Sequence, residues 1–155
     1  MDYTFDITLK TRTLFHKILE TLTLDQLNTK PEGFNNTIFW NIKHVVITQQ
    51  LLTYRLSGLP VLVSEAEIEA FKKGTKSEGK ATIEDLALLK YQLFTTLEKT
   101  KEDYQKGLFK KYTKYTVSTK STLTTIDEAL AFNSFHEGIH FGYILAMKRT
   151  LYRLR

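Results

Sequence analysis

The sequence of 155 residues contains no cysteine. This absence excludes disulfide bonds, thiolate ligands for a metal ion and a cysteine nucleophile. Proline occurs only twice, at Pro31 and Pro60, and each proline falls in a loop between predicted helices. No apolar run reaches the roughly 18 residues that a membrane-spanning helix needs, and no basic segment precedes an apolar stretch as in a signal peptide. We therefore predict a soluble, cytoplasmic protein that does not enter a membrane.

The composition is that of an ordinary globular protein. Apolar residues make up 42% and charged residues 25%, so the chain can fold as a single domain covering residues 1–155. The net charge of +5 and the basic, aromatic segment 106–115 admit a nucleic-acid surface, because lysine can bind phosphate and tyrosine can stack on bases. A solvated loop that covers one end of the helices is the favoured interpretation, and nucleic-acid binding is not expected.

Apolar periodicity predicts four long helices. The first covers residues 3–22, and the second runs from capping residues at 35–37 to about Ser57, where Gly58 ends it. The second is apolar nearly all round, so it should lie deep in the protein. The apolar stripe of the first helix, with the residues beside it, consists of Ile7, Leu14, Ile18, Leu22, Phe15 and Leu19.

Capping boxes begin the other two long helices. Thr82 to Asp85 precedes a helix that ends near Gly107, and Thr125 to Glu128 precedes a helix that ends near Arg153. A short helix is predicted at 65–73, and a hairpin-like extended segment at 108–123. These elements predict an all-α protein, a four-helix bundle with a short extended excursion before the last helix.

The histidines form the most informative pattern. His136 and His140 lie four residues apart, which is about 400° of helical rotation, so both imidazoles leave from the same face. His44 lies on a mostly buried face of the second long helix, whereas His16 lies off the apolar stripe, is predicted to face solvent and is assigned no role. A lone buried histidine is more often a hydrogen-bonded core residue than a metal ligand. If the two helical faces converge, however, three imidazoles with open coordination positions would form a catalytic type of metal site.

The segment from His136 to His140 also has the literal H-E-x-x-H pattern of zinc peptidases. That interpretation makes Glu137 the general base and requires a third ligand, which commonly lies downstream. Tyr143 and Ala146 stand where the extended pattern has Gly and His, and no acidic residue follows Glu137. Peptidase activity is therefore not expected, and Glu137 is interpreted as a contact of a ligand, a salt-bridge residue or a surface residue.

Three segments together resemble the DinB-like family, which is related to the bacillithiol and mycothiol transferases. They are the stretch from Asn36 to Val46 with its Trp-x-x-x-His, the Tyr-Arg-Leu-Ser-Gly at 54–58, and the His-x-x-x-His-x-Gly at 136–142. The resemblance spans Lys10 to Lys148. It implies an up-up-down-down four-helix bundle, frequent dimerisation, and a divalent metal ion held by the residues His44, His136 and His140.

The resemblance also implies a function. We expect a divalent cofactor, zinc or nickel, and a homodimeric enzyme that transfers a low-molecular-weight thiol to an electrophile or hydrolyses a small molecule. The alternative is a non-catalytic metal- or ligand-binding stress-response module. Many relatives have Arg after the second histidine of the motif and Gln after its Gly, where this chain has Phe141 and Tyr143. The candidates for contacting the ligands or a substrate are Trp40, Thr48, Asn133, Glu137 and Tyr143.

Overall fold

The computed structural model describes residues 1–153, and most of them are helical. This confirms the prediction of an all-α protein. The helices are α1 (Asp2–Thr21), α2 (Leu24–Asn28), α3 (Ile38–Thr53), α4 (Glu65–Phe71), α5 (Ile83–Gln105) and α6 (Ile126–Arg153). A 3-10 turn at Arg55–Ser57 extends α3. Within the described range, no helix is both long and apolar enough to cross a membrane.

The helix boundaries follow the predicted capping residues. The Thr82 hydroxyl accepts a hydrogen bond from the Asp85 backbone N–H, while the Asp85 carboxylate accepts one from Thr82. Thr125 and Glu128 form the same reciprocal pair at the start of α6. Gly58 adopts a left-handed backbone conformation with φ +69°, which a residue with a side chain rarely tolerates. Short-range capping chemistry therefore sets most of the ends of the long helices.

A small hairpin precedes α6, as the sequence predicts. Strand β1 (Tyr115–Thr116) pairs antiparallel with β2 (Thr122–Leu123). Val117 and Leu123 are buried against the C-terminal end of α3 and the start of α6. In the basic segment, the Tyr112 hydroxyl donates a hydrogen bond to a backbone carbonyl of α3. The segment 108–123 therefore covers one end of the helices, in line with the favoured interpretation.

The four long helices pack in a closed ring, because α1 and α3 each contact both α5 and α6. Residue numbers rise together between parallel helices, and the pairs that show this are Thr8–Ser134 and Phe15–Phe141 for α1 and α6, and Lys43–Gln92 and Tyr54–Asp103 for α3 and α5. Residue numbers run oppositely between antiparallel helices. The pairs that show this are Phe5–Tyr104 and Arg12–Leu93 for α1 and α5, and His44–His136 and Asn41–Met147 for α3 and α6.

These pairs correct the predicted order of helix directions. If α1 points up, then α3 and α5 point down and α6 points up, so the up-up-down-down order is wrong. The connection 54–82, which contains α4, is long enough to return the chain to the end at which α3 began. Helix α5 can therefore run parallel to α3. Periodicity identifies the buried face of a helix but not the direction of the helix beside it.

The buried face of α1 also differs from the predicted stripe. Ile7 and Leu14 are 36% and 45% exposed, whereas Thr8 and Arg12 are buried beside Phe15. Phe15, Ile18, Leu19 and Leu22 are buried as predicted. The prediction followed apolar residues only, so it missed Thr8 and Arg12, whose side chains are buried with hydrogen-bond partners. Helix α3, by contrast, is buried on nearly every side as predicted.

Candidate metal centre

Helices α3 and α6 bring three histidines together. His44 comes from α3, and His136 and His140 come from successive turns of α6. One ring nitrogen of each residue lies within 4.8 Å of the corresponding nitrogen of the other two. The two helical faces therefore converge, and the cluster could hold a metal ion.

The surroundings of His44 fix its orientation and its tautomer. Its Nδ1 atom lies 2.7 Å from the backbone carbonyl oxygen of Phe71. Because a carbonyl can only accept, the neutral ring must carry its proton on Nδ1, and Nε2 keeps a lone pair. The Thr48 hydroxyl lies 3.2 Å from Nε2, and the Trp40 ring stacks on the imidazole at a centroid distance of 4.7 Å. A metal ion at Nε2 would take the place of the Thr48 hydrogen bond.

Asn41 gives His140 the same arrangement. The side-chain amide nitrogen of Asn41 donates to the Thr37 carbonyl at 2.8 Å, which turns the amide oxygen toward His140. That oxygen lies 3.0 Å from Nδ1 of His140, so Nδ1–H is the donor and Nε2 is free. Hydrogen bonds of this kind to the second ring nitrogen are typical of histidines that bind metal ions.

His136 completes the cluster with an unpaired nitrogen. Its Nδ1 atom is buried and has no hydrogen-bond partner among the described residues. The ring lies against Phe132 at a centroid distance of 6.3 Å, which supplies contact area but no acceptor. A buried polar atom without a partner is costly. The donor chemistry of the cluster therefore fits a metal ion, which binds neutral imidazole nitrogens.

Burial keeps the three rings neutral. Loss of solvent lowers the pKa of His136 to about 3, with further lowering from His140 and His44. The same loss of solvent, followed by the proximity of His44, lowers the pKa of His140 to about 4. Burial also lowers the pKa of His44, although the Phe71 carbonyl opposes that shift. At neutral pH each of the three rings is therefore uncharged and has one nitrogen with a lone pair that can bind a metal ion.

The three histidines line a cleft of about 430 Å³. Its walls are mostly apolar, and Val117 and Ser118 of the hairpin region contribute to one side. The other lining residues are Thr48, Leu51, Leu52, Arg55, Leu56, Lys73, Tyr115, Phe132 and Ile139. No aspartate or glutamate is among the lining residues that the structure describes. The site thus combines three neutral nitrogen ligands with a space large enough for a small organic molecule.

The predicted neighbours of the site divide into two groups. Trp40 and Thr48 contact His44 directly. Asn133 and Glu137 do not contact the histidines; Asn133 instead donates to the Glu137 carboxylate at 2.8 Å, away from the cleft. Tyr143 packs its ring on Phe34 and is 40% exposed.

Glu137 forms a fully buried ion pair with Arg12 of α1, in which an Nη2–Oε1 distance of 2.9 Å joins them. Both side chains have no solvent exposure. The carboxylate therefore faces α1 rather than the histidines. Of the interpretations given for Glu137, the ion pair fits the salt-bridge residue, and the contact with a metal ligand is wrong. The position also removes the general base that the peptidase interpretation requires.

Two contacts of the cluster were not predicted, the Asn41 side chain and the Phe71 carbonyl. Asn41 precedes His44 by three residues, so helical spacing places it on the same face, and this signal was available in the sequence. Phe71 lies at the end of α4, far along the chain from α3. A backbone carbonyl leaves no mark in residue types, so no sequence pattern would have revealed it.

Comparison with known families agrees with these observations. The model of the DinB superfamily matches residues 8–144 of the chain. The chain therefore belongs to the DinB superfamily. A search of curated proteins gave no match.

The two departures from the motif of many relatives lie outside the cleft. Phe141 packs its ring against Phe15 of α1, and Tyr143 packs on Phe34. Neither residue is part of the cleft lining. These substitutions adjust the packing of α6 and leave the three histidines in place.

Proposed function

We propose that this protein is a metal-dependent enzyme in which His44, His136 and His140 hold one divalent ion, zinc or nickel. The observation that carries the proposal is the convergence of three neutral imidazole nitrogens, within 4.8 Å of one another, in the lining of a cleft. Three neutral ligands leave coordination positions open, and this ligand set is typical of catalytic rather than structural zinc sites.

The reaction that we propose is transfer of a low-molecular-weight thiol to an electrophile, or hydrolysis of a small molecule. A divalent ion with three neutral ligands would acidify a thiol or a water molecule bound to it. The chain has no cysteine, so a thiol must come from a cosubstrate. The Thr48 hydroxyl beside His44 can form a hydrogen bond to a bound substrate.

A non-catalytic metal- or ligand-binding role is the second candidate. The observation that favours it is the absence of Asp and Glu from the described lining of the cleft. Beyond the histidines themselves, the lining therefore offers no carboxylate to act as a general base. Such a protein would bind the metal ion and a small ligand without turning the ligand over.

We also propose a four-helix bundle that acts as a cytoplasmic homodimer with a small-molecule substrate. The closed ring of contacts among α1, α3, α5 and α6 supports the bundle. An exposed apolar face of α6 supports the dimer, since Phe135 and Ile139 are 53% and 49% exposed and two copies could cover each other there. Sedimentation analysis of the wild type and of Phe135→Glu tests the dimer.

Metal content is the direct test of the site. The purified protein is loaded with zinc or nickel, freed of excess metal and analysed by elemental mass spectrometry. We expect one ion per chain in the wild type and loss of the ion in His44→Ala, His136→Ala and His140→Ala. His16→Ala is the matched control, because His16 lies against Phe94 of α5 and beside Glu20, apart from the cluster. A wild type that takes up no metal ion would contradict the proposal.

Turnover separates the two candidate roles. The metal-loaded protein is incubated with small thiols and a panel of electrophiles, and products are followed by mass spectrometry. We expect product with the wild type and none with His136→Ala. Stoichiometric metal without turnover of any thiol or ester would favour the non-catalytic role.

A further inference from the structure

We propose that the cleft selects a small organic anion, a molecule with an apolar body and one acidic group. This inference rests on the proposed metal site and names the class of ligand that it takes. It is carried by the charges and the apolar surface of the cleft lining.

The charged residues that line the cleft are Arg55 and Lys73, both cationic. Arg55 forms an ion pair with Glu65 at 2.6 Å, so its charge is largely balanced. Lys73 has no carboxylate within ion-pair distance in the part of the chain that the structure describes. The cleft lining thus presents one side-chain cation without an ion-pair partner among the described residues.

A metal ion held by the three histidines would add further positive charge to the cleft. His44, His136 and His140 are neutral, and no carboxylate lies beside them in the cleft lining. A divalent ion held there would therefore keep its full charge, and apolar walls would screen that charge poorly. A ligand that enters between the ion and Lys73 gains if it is negatively charged and loses if it is positively charged.

The apolar residues of the cleft lining favour a ligand with an apolar body. Leu51, Leu52 and Leu56 lie on the side of α3 and the turn that follows it, and Phe132 and Ile139 lie on α6. A volume of about 430 Å³ falls at the lower end of the range for small-molecule sites. An acid with a short alkyl or aromatic body matches both the size and the apolar surface of the cleft. A highly polar anion would make few apolar contacts with the walls.

Three ligands that share one apolar body test the inference. Octanoate, octanol and octylamine are titrated by calorimetry into the zinc-loaded protein and into the metal-free protein. We expect the loaded protein to bind octanoate about tenfold more tightly than octanol, with octylamine the weakest, since the ion and Lys73 both favour a negative group. Equal affinities for the three ligands would overturn the inference.

Variants of Lys73 measure the contribution of its positive charge to anion binding. Lys73→Gln should weaken octanoate binding about two- to fivefold, as expected for a partly solvated ion pair, and leave octanol unchanged. Lys73→Arg should retain the preference. Lys72→Gln is the matched control, because Lys72 pairs with Glu69 and does not line the cleft.

The two proposals can fail separately. If the protein takes up zinc but shows no preference for octanoate, the anion site is wrong and the metal centre stands. If it takes up no metal but prefers octanoate through Lys73, the metal centre is wrong and the anion site stands. If it shows neither zinc uptake nor a preference, both proposals are wrong.

Discussion

Helix α6 carries two buried polar clusters on neighbouring faces, and the clusters differ in whether their ionisable groups are paired with one another. One contains Glu137 with Arg12, and the other contains His136 and His140 with His44. Consecutive residues, His136 and Glu137, thus belong to different clusters because they lie about 100° apart around the helix. The comparison separates a cluster that holds helices together from one that is available to a ligand.

The Glu137 cluster is a structural junction of three helices. All three guanidinium nitrogens of Arg12 donate hydrogen bonds, to the Glu137 carboxylate, to the Leu93 carbonyl and to the Thr96 hydroxyl. These contacts connect α1 with α5 and α6. Asn133 adds a further donor to Glu137. A buried charge pair of this kind is tolerable only when its geometry and hydrogen bonds are good.

The histidine cluster has the opposite character. His44 and His140 each use Nδ1 for a structural hydrogen bond and turn Nε2 toward the cluster. His136 keeps a buried Nδ1 without a partner among the described residues. The neutral rings of the cluster thus bring several acceptor nitrogens close together. The difference teaches that the pairing of ionisable groups, and not burial alone, distinguishes a candidate site from a core, since Oδ1 of Asn133 in the Glu137 cluster is also buried without a partner among the described residues.

The largest effect on stability is expected from breaking the ion pair of Arg12 and Glu137. Arg12→Met leaves the Glu137 charge buried with only Asn133 as a donor, and Glu137→Leu leaves the Arg12 charge buried. Each single change should lower the free energy of unfolding by about 3–5 kcal/mol. Urea denaturation followed by circular dichroism measures this loss.

The double variant is the control for that prediction. Arg12→Met combined with Glu137→Leu removes both charges and fills the space with apolar atoms, so it should recover much of the stability that each single change loses. If the two single changes add fully in the double variant, or cost less than about 1 kcal/mol each, the pair is not the structural junction that we infer.

The next effect concerns the pH dependence of the metal-free protein. The pKa is about 3 for His136 and about 4 for His140 in the folded state, against 6.5 for an unperturbed histidine. Below pH 6.5 the unfolded chain binds protons that the folded chain does not. Each of these two histidines therefore lowers the free energy of unfolding by up to about 1.4 kcal/mol per pH unit as the pH falls from 6.5.

The variant His136→Ala isolates one of these contributions. Between pH 6.5 and about 5 the stability of the wild type should fall about 2 kcal/mol further than that of the variant. Glu67, whose pKa is lowered to about 2 by hydrogen bonds and the charge of Lys43 despite its partial burial, loses its contribution only below that window. Phe132→Leu, which changes the ring stacked on His136 without removing a titratable group, should keep the wild-type slope. Parallel curves for the wild type and His136→Ala would contradict the prediction.

Much of the fold could be predicted because its signals are local. The capping pairs at Thr82 and Thr125, the left-handed Gly58 and the apolar run of α3 each depend on residues a few positions apart. The spacing of His136 and His140 is local in the same sense. Such features determine where a helix begins, where it ends and which residues share a face.

The features that were missed depend on contacts between distant segments. Arg12 and Glu137 are fully buried as a pair. Each is of a residue type that usually lies at the surface, so the sequence does not predict that the two side chains meet in the interior. The directions of α3 and α6 relative to α1 depend on the paths of the connections between the helices rather than on periodicity. Asn41 was overlooked although its spacing from His44 was visible, because an asparagine on a helix has many ordinary uses.

The smallest effect, and the sharpest comparison of the two clusters, comes from their asparagines. Asn41 accepts a hydrogen bond from His140, and Asn133 donates one to Glu137. Asn41→Ala should therefore weaken zinc affinity about 10- to 100-fold. Asn133→Ala should leave zinc affinity unchanged and instead lower the free energy of unfolding by about 1–2 kcal/mol. Competition with a chromophoric chelator measures the affinity, and urea denaturation measures the stability. Equal losses of zinc affinity in both variants would mean that the two faces of α6 act as one unit. A loss confined to Asn41→Ala would mean that the histidine cluster is tuned through its own hydrogen bonds, because both substitutions remove the same type of side chain from a buried position, and the side chain of Asn41, unlike that of Asn133, is hydrogen-bonded to a histidine.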